Sequence, residues 1–148
     1  MKNVPKIEIY RIIDANLNRS REGLRVCEDI ARFVIGSRTL TKEIKTARHD
    51  ISDLAVSASL DPGILHNSRD PIGDIGRVSG TGSEMRRNSL NDIFTANMER
   101  AKESIRVLEE FFKLIDKKTS NKFSGLRFRV YEIEKMATRV AKKGFSSR

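Results

Sequence analysis

Tryptophan is absent and cysteine occurs once, at Cys27. A single thiol can close no intramolecular disulfide and build no cysteine-rich metal site, so a reducing, cytoplasmic setting is expected. Histidine occurs only twice. His49 falls off the apolar stripe of its helix and His66 lies in a loop, which argues against a histidine metal site. Aromatics make up 6% of the chain, leaving Ile, Leu, Val and Ala to build the core, as in many helical proteins. No apolar run is long enough to span a bilayer, and MKNVPKIEIYR lacks the apolar block of a signal peptide, so no membrane association is expected. No segment alternates with period two, which predicts essentially no sheet. The phosphate-cradling GK[ST] signature is also missing.

What the chain has in quantity is charge. Charged residues reach 33%, and the formal net charge is +9. Nucleic acid, an acidic membrane surface or a phosphorylated small molecule would each answer that excess. A length of 148 residues suits one domain with a single core.

Four segments carry helical periodicity: about Ile9–Ile35, Ser37–Leu60, Ser89–Asp116 and Ser120–Lys142. Cys27 falls in the first apolar arc as a small core residue. Between the second and third helices, residues 59–88 form a stretch too long for a simple connection. Its scattered apolar residues Ile64, Leu65, Ile72, Ile75, Val78 and Met85 are candidate anchors onto a bundle. It also carries Arg69, Asp70, Asp74, Arg86 and Arg87, suited to phosphates and their magnesium. Gly80–Ser83, Gly-Thr-Gly-Ser, offers backbone N–H groups to an anion ahead of a helix.

An internal repeat sets the expected architecture. ANLNRSREGLRVCED at 15–29 matches ANMERAKESIRVLEE at 96–110 without a gap, at an offset of 97 − 16 = 81. A weaker echo aligns Arg48 in IKTARHDI with Arg127 in FSGLRFRV. The expected fold is therefore all-α, a four-helix bundle of two repeated hairpins. One domain, 1–148, would comprise repeat one at about 9–60, a crossover loop at about 61–88, and repeat two at about 89–142.

The repeat also exposes an oddity. At 100° per residue, Asn16, Arg19, Ser20 and Gly23 fall inside the apolar arc of the first helix, and Asn97, Arg100, Ala101 and Ser104 inside that of the third. Polar side chains facing a core are costly unless paired or wet. Two readings follow. Both copies line one shared polar cavity, or the asparagines cap helix ends while Arg19 and Arg100 turn outward or pair with Glu22 and Glu103.

RIIDANLNRSREGLRVCEDIARF, LTKEIKTARHDI, SRDPIGDIG and TANMERAKESIRVLEEFFK together resemble the successive signatures of the small helical hydroxymethylpyrimidine phosphate kinases, a domain often fused ahead of a thiamin-phosphate synthase barrel. The resemblance covers nearly all of the chain to about residue 135, and with no barrel after it in this sequence the stand-alone form is expected. It implies phosphorylation of 4-amino-2-methyl-5-hydroxymethylpyrimidine phosphate to the diphosphate with ATP and Mg2+. By motif and helix phase, Arg19, Arg100, Arg69 and Arg86 would bind phosphates. Asp70 and Asp74 would ligate magnesium, with Glu103 as a further ligand or an orienting partner. Asn16 and Asn97 would meet the aminopyrimidine edge, while Glu22, Arg48 and Arg87 complete the substrate and nucleotide set. The rival classes are a basic helical domain that binds nucleic acid, which needs outward arginines, and a sensor that binds the phosphometabolite without turnover. For the kinase reading, an active site shared between subunits of a homo-oligomer stays open.

Overall fold

The computed structural model describes residues 6–58, 60–77 and 86–146. Those residues hold five α-helices and no strand. Helix α1, Lys6–Ile30, runs on into a π-helical turn, Ala31–Ile35, closed by Gly36 in the left-handed region. Ser37 then caps α2, Arg38–Ser57, its hydroxyl accepting the Leu40 N–H. Asp61 caps the short α3, Pro62–Asn67, by accepting from Gly63 N–H, with proline at the first helical position where no N–H is needed. Ser89 caps α4, Leu90–Phe112, and Asp92 answers by accepting from Asn88 N–H. The Asp116 carboxylate accepts from Lys118 N–H and the Thr119 hydroxyl at the start of α5, Lys117–Ser146.

Helix α3 is the difference from the sequence expectation, in which Asp61, Pro62 and Gly63 only end a helix. The same residues start one, because Asp at the cap followed by Pro is also a helix N-terminus signal. The four long helices close a ring in which α1 packs on α2 and α4, and α5 packs on α4 and α2. Helices α1 and α4 share the most extensive contact.

That contact explains several of the oddly placed residues. A β-carbon added to Gly23 would lie 2.8 Å from the Asn97 carbonyl oxygen. The two helices can approach this closely only because their facing positions are small: Ser20 and Gly23 on α1, Ala101 and Ser104 on α4, all buried. Cys27, also in this seam, donates from its thiol to the Phe94 carbonyl. Ile13, Leu17, Leu24, Met98, Ile105 and Leu108 fill the seam on either side, and Phe112 stacks on Phe123 with ring centroids 5.2 Å apart at the α4–α5 corner.

The repeat is visible in matching contacts. Arg48 Nε on α2 donates to Glu28 on α1 at 2.8 Å, and Arg127 Nε on α5 donates to Glu109 on α4 at 2.9 Å. Both glutamates are buried, and each pair staples one hairpin. Arg48, expected among the substrate ligands, is thus held between two helices by an internal carboxylate.

In the crossover, Leu60 and Leu65 are buried in the core, and the buried Ser68 hydroxyl donates to the Leu65 carbonyl at 2.6 Å. Ile64, Ile72 and Ile75 are exposed, so among the described residues Leu65 is the expected anchor that works as one. Val78, Met85 and the Gly80–Ser83 stretch lie outside the described residues. Among the described residues no helix is long and apolar enough to cross a membrane.

Candidate functional site

The first half of α1 forms one wall of a cavity of about 760 Å³, and the crossover after α3 forms the facing wall. The α1 residues there, Glu8, Arg11, Ile12, Ala15, Asn16 and Arg19, recur at three- and four-residue spacing and so share one helix face. From the crossover come Arg69, Asp70, Pro71 and Asp74, and α4 adds only Val107.

One contact holds the two walls together. Arg69 donates from Nε and Nη2 to the two carboxylate oxygens of Asp14, at 2.6 and 2.8 Å. Asp14 is buried whereas the Arg69 side chain is 42% exposed, so the carboxylate lies in the protein and the guanidinium opens to the cavity. The hydrogen bonds that Arg69 donates to Asp14 push its guanidinium above the usual arginine range, against a smaller opposing effect of burial. Two of its five N–H donors are spent in this fork, leaving three for a ligand.

The two loop aspartates are ordered by their own turns. Asp70 accepts from Gly73 N–H and Asp74 from Gly76 N–H, each at 2.9 Å through Oδ1. A β-carbon on Gly73 would lie 2.2 Å from Asp70 Oδ2, so glycine here lets the carboxylate lie over the turn. On α1, Asn18 accepts from Arg21 Nη2 at 2.9 Å, which steadies the far edge of the cavity. Among the described residues no group of three or more His, Cys, Asp or Glu side chains is arranged to hold a metal ion. Asp70 and Asp74 remain a pair of hard oxygen donors beside three arginines.

The structure therefore brings together Asn16, Arg19, Arg69, Asp70 and Asp74. It does not bring Asn97, Arg100 and Glu103 to them. Among the described residues, Val107 is the one side chain of the second copy that lines this cavity, and the polar positions of the two copies do not share it. Arg100 and Glu103 are exposed on α4, Asn97 faces α1 near Gly23, and Glu22 is exposed on α1 outside the lining. Arg19 is exposed as well, at the cavity rather than directed into the core. Arg86 and Arg87 are exposed just before α4 and do not line the cavity.

The reason lies in the positions that the repeat does not share. At the offset of 81, Arg11 corresponds to Asp92 and Asp14 to Thr95 (92 − 11 and 95 − 14), so the second copy lacks both the outer arginine and the clamp. At its end of the bundle a cavity of about 820 Å³ is lined largely by apolar side chains, among them Ile30, Val34, Leu90, Phe94 and Ala137. Arg11, Glu8 and Asn18 were missed from the sequence. The signal was present for Arg11 and Glu8, which continue the Ala15, Asn16 and Arg19 stripe by helical spacing towards the N-terminus.

A family model, described as the ThiD2 family, matches residues 11–136. The chain belongs to the ThiD2 family. The match takes in Arg11 to Arg19 of the α1 face, the Asp14–Arg69 clamp and both loop aspartates, so all of the cavity lining except Glu8 lies within the matched residues. The ThiD2 chain is 35% identical over 131 residues to a thiamine-phosphate synthase of Rhodopirellula baltica, covering 88% of this chain and 34% of that protein. It is 38% identical over 130 residues to one of Thermosynechococcus vestitus, covering 88% of this chain and 35% of that protein, and 37% identical over 134 residues to one of Synechocystis, covering 90% and 37%. The chain thus spans about a third of the length of the curated relatives it matches. No solved structure matches it.

Proposed function

We propose that this ThiD2 domain is a kinase that transfers the γ-phosphoryl group of ATP to 4-amino-2-methyl-5-hydroxymethylpyrimidine phosphate, giving the diphosphate for thiamin biosynthesis. The observation that carries this reading is one cavity in which Arg11 and Arg19 on α1 lie across from Arg69, Asp70 and Asp74 on the crossover. Its family and its thiamine-phosphate synthase relatives supply the pathway.

The acceptor is a phosphate monoester with a second pKa near ~6, already largely ionised at neutral pH. One of its oxygens forms the new bond to the γ-phosphorus while the bond from that phosphorus to the bridging oxygen breaks, and ADP leaves with the electron pair. No proton has to be removed, so no general base is needed. The task left to the protein is to hold two anions close together and in line. Arg11 and Arg19 present planar forks from one helix face, and Arg69 presents its three remaining donors from the opposite wall.

Asp70 and Asp74 fit magnesium. Each keeps one carboxylate oxygen beyond the one accepting its loop N–H, and magnesium takes one or two carboxylates and fills its shell with water and phosphate oxygens. When bound, the ion screens the repulsion between the two phosphates.

The test is ADP release by the purified chain with ATP and magnesium, comparing the pyrimidine phosphate with the unphosphorylated alcohol. Turnover of the phosphate is expected. Saturable binding of the phosphate with no ADP released would overturn the kinase reading in favour of a sensor.

A further inference from the structure

We infer that Asn16 reads the amino edge of the acceptor ring, and that its repeat partner Asn97 does not. The inference rests on the kinase reading above and specifies how that site selects its substrate.

Asn16 is 3% exposed, yet it lines the cavity one turn from Arg19. Its side-chain amide is anchored, with Nδ2 donating to the Ile12 carbonyl at 2.8 Å. A carbonyl only accepts, so this bond settles which end of the amide is nitrogen. Oδ1, with two lone pairs, and the second N–H have no partner among the described residues.

An acceptor beside a donor complements an exocyclic amino group beside a ring nitrogen, the pairing by which asparagine selects adenine. A 4-oxo ring presents the reverse order. An unanchored amide could turn over to match it. The Asn16 amide cannot, because turning over would set Oδ1 against the Ile12 oxygen and lose the anchoring bond. The anchor therefore confers selectivity for amino over oxo.

Asn97 supplies an internal control. Its Nδ2 donates to the Ile93 carbonyl at the same 2.8 Å, but it lies outside the cavity. Serine preserves such an anchor in this bundle, as Ser104 shows by donating to the Arg100 carbonyl at 2.7 Å.

The experiment is calorimetric titration of the full chain with 4-amino-2-methyl-5-hydroxymethylpyrimidine phosphate and with its 4-oxo counterpart, for wild type, Asn16→Ser and Asn97→Ser, with thermal melts as the folding check. Wild type should prefer the amino compound by about ten- to a hundred-fold, the worth of one bidentate contact. Asn16→Ser should bring the two affinities within about threefold, the contact being gone, while Asn97→Ser keeps the full preference. Asn16→Ala, with the same expectation, serves if the serine variant melts early. A preference that survives in both Asn16 variants, or that Asn97→Ser abolishes equally, overturns the inference. If wild type turns the amino compound over while Asn16→Ser keeps its preference, only this inference falls. If wild type neither binds nor phosphorylates it, the kinase reading falls as well.

Discussion

Asp14 grips Arg69 through both carboxylate oxygens across 55 residues of chain. Together with the burial of Leu65, this contact docks the crossover on α1 and sets Asp70 and Asp74 opposite Arg11 and Arg19. The second repeat has threonine, Thr95, where Asp14 would be, and the cavity that Thr95 lines has mainly apolar walls and no arginine among the described residues.

The clamp should appear as coupling between the two positions. In a double-mutant cycle of Asp14→Ala and Arg69→Ala, read by denaturant unfolding, we expect about 1–2 kcal/mol, the lower part of the range for charged hydrogen bonds because Arg69 is half exposed. Arg69→Ala should cost more than Asp14→Ala, since it leaves a buried carboxylate unpaired rather than an accessible guanidinium. Strict additivity of the two substitutions would show that the clamp does not form in solution.

Arginines of the two repeats should differ in activity despite their matched sequence positions. Arg11→Ala and Arg19→Ala are each expected to lower kcat/KM for the pyrimidine phosphate by about ten- to a hundred-fold, one lost charged hydrogen bond to phosphate. Arg100→Ala, exposed on α4 away from the cavity, should stay within about twofold, as surface substitutions usually do. Steady-state kinetics decide this, and equal losses at Arg19 and Arg100 would contradict a site built on the first copy alone.

Gly23 tests the α1–α4 seam, with Gly125 on α5 as its control. Gly23→Ala places a methyl group 2.8 Å from the Asn97 carbonyl and should destabilise by about 1–3 kcal/mol through overpacking. Gly125→Ala, on the exposed side of α5 with nothing within 4 Å, should instead stabilise by roughly 0.5–1 kcal/mol through helix propensity. Opposite shifts in the urea midpoint are the expected result.

Acid should weaken the second hairpin staple. Burial alone would push the Glu109 carboxyl up, but the Arg127 hydrogen bond and charge, with the charge of Arg106, outweigh it and hold Glu109 below the ordinary value of 4.5. A depressed carboxylate adds stability that is fully present above its unfolded pKa and disappears as pH falls through the folded one. Unfolding free energy measured downward from pH 6 should therefore decline below about pH 4.5. Glu109→Gln should make that decline shallower while lowering stability at pH 6. An unchanged acid slope in this variant would remove Glu109 from the effect.

Much of the site is legible in the chain, Asn16 and Arg19 by helix phase and Arg69, Asp70 and Asp74 by their residue types in the crossover. Asn16, Arg19, Arg69, Asp70 and Asp74 were all candidates before any fold was known, and all five line the cavity. The misplaced candidates share one cause. Asn97, Arg100 and Glu103 were included because the repeat treats both copies alike, and Arg48 because it sits at a helix edge. Helix phase shows which face a residue occupies, but not which neighbour covers that face. On the α1–α4 face the neighbour is another helix at close range, and Ser20, Gly23, Ala101 and Ser104 belong to that packing rather than to a polar site.

By itself, then, the sequence determined the long helices, their caps and the duplication, because helix periodicity and capping are local and act within a few residues. It also marked the stripe of polar residues on α1. Only the tertiary structure decided which copy became the charged cavity. That choice depends on where the crossover docks, and docking is set by Asp14 meeting Arg69 and by Leu65 entering the core, contacts between residues far apart in the chain that no local pattern encodes.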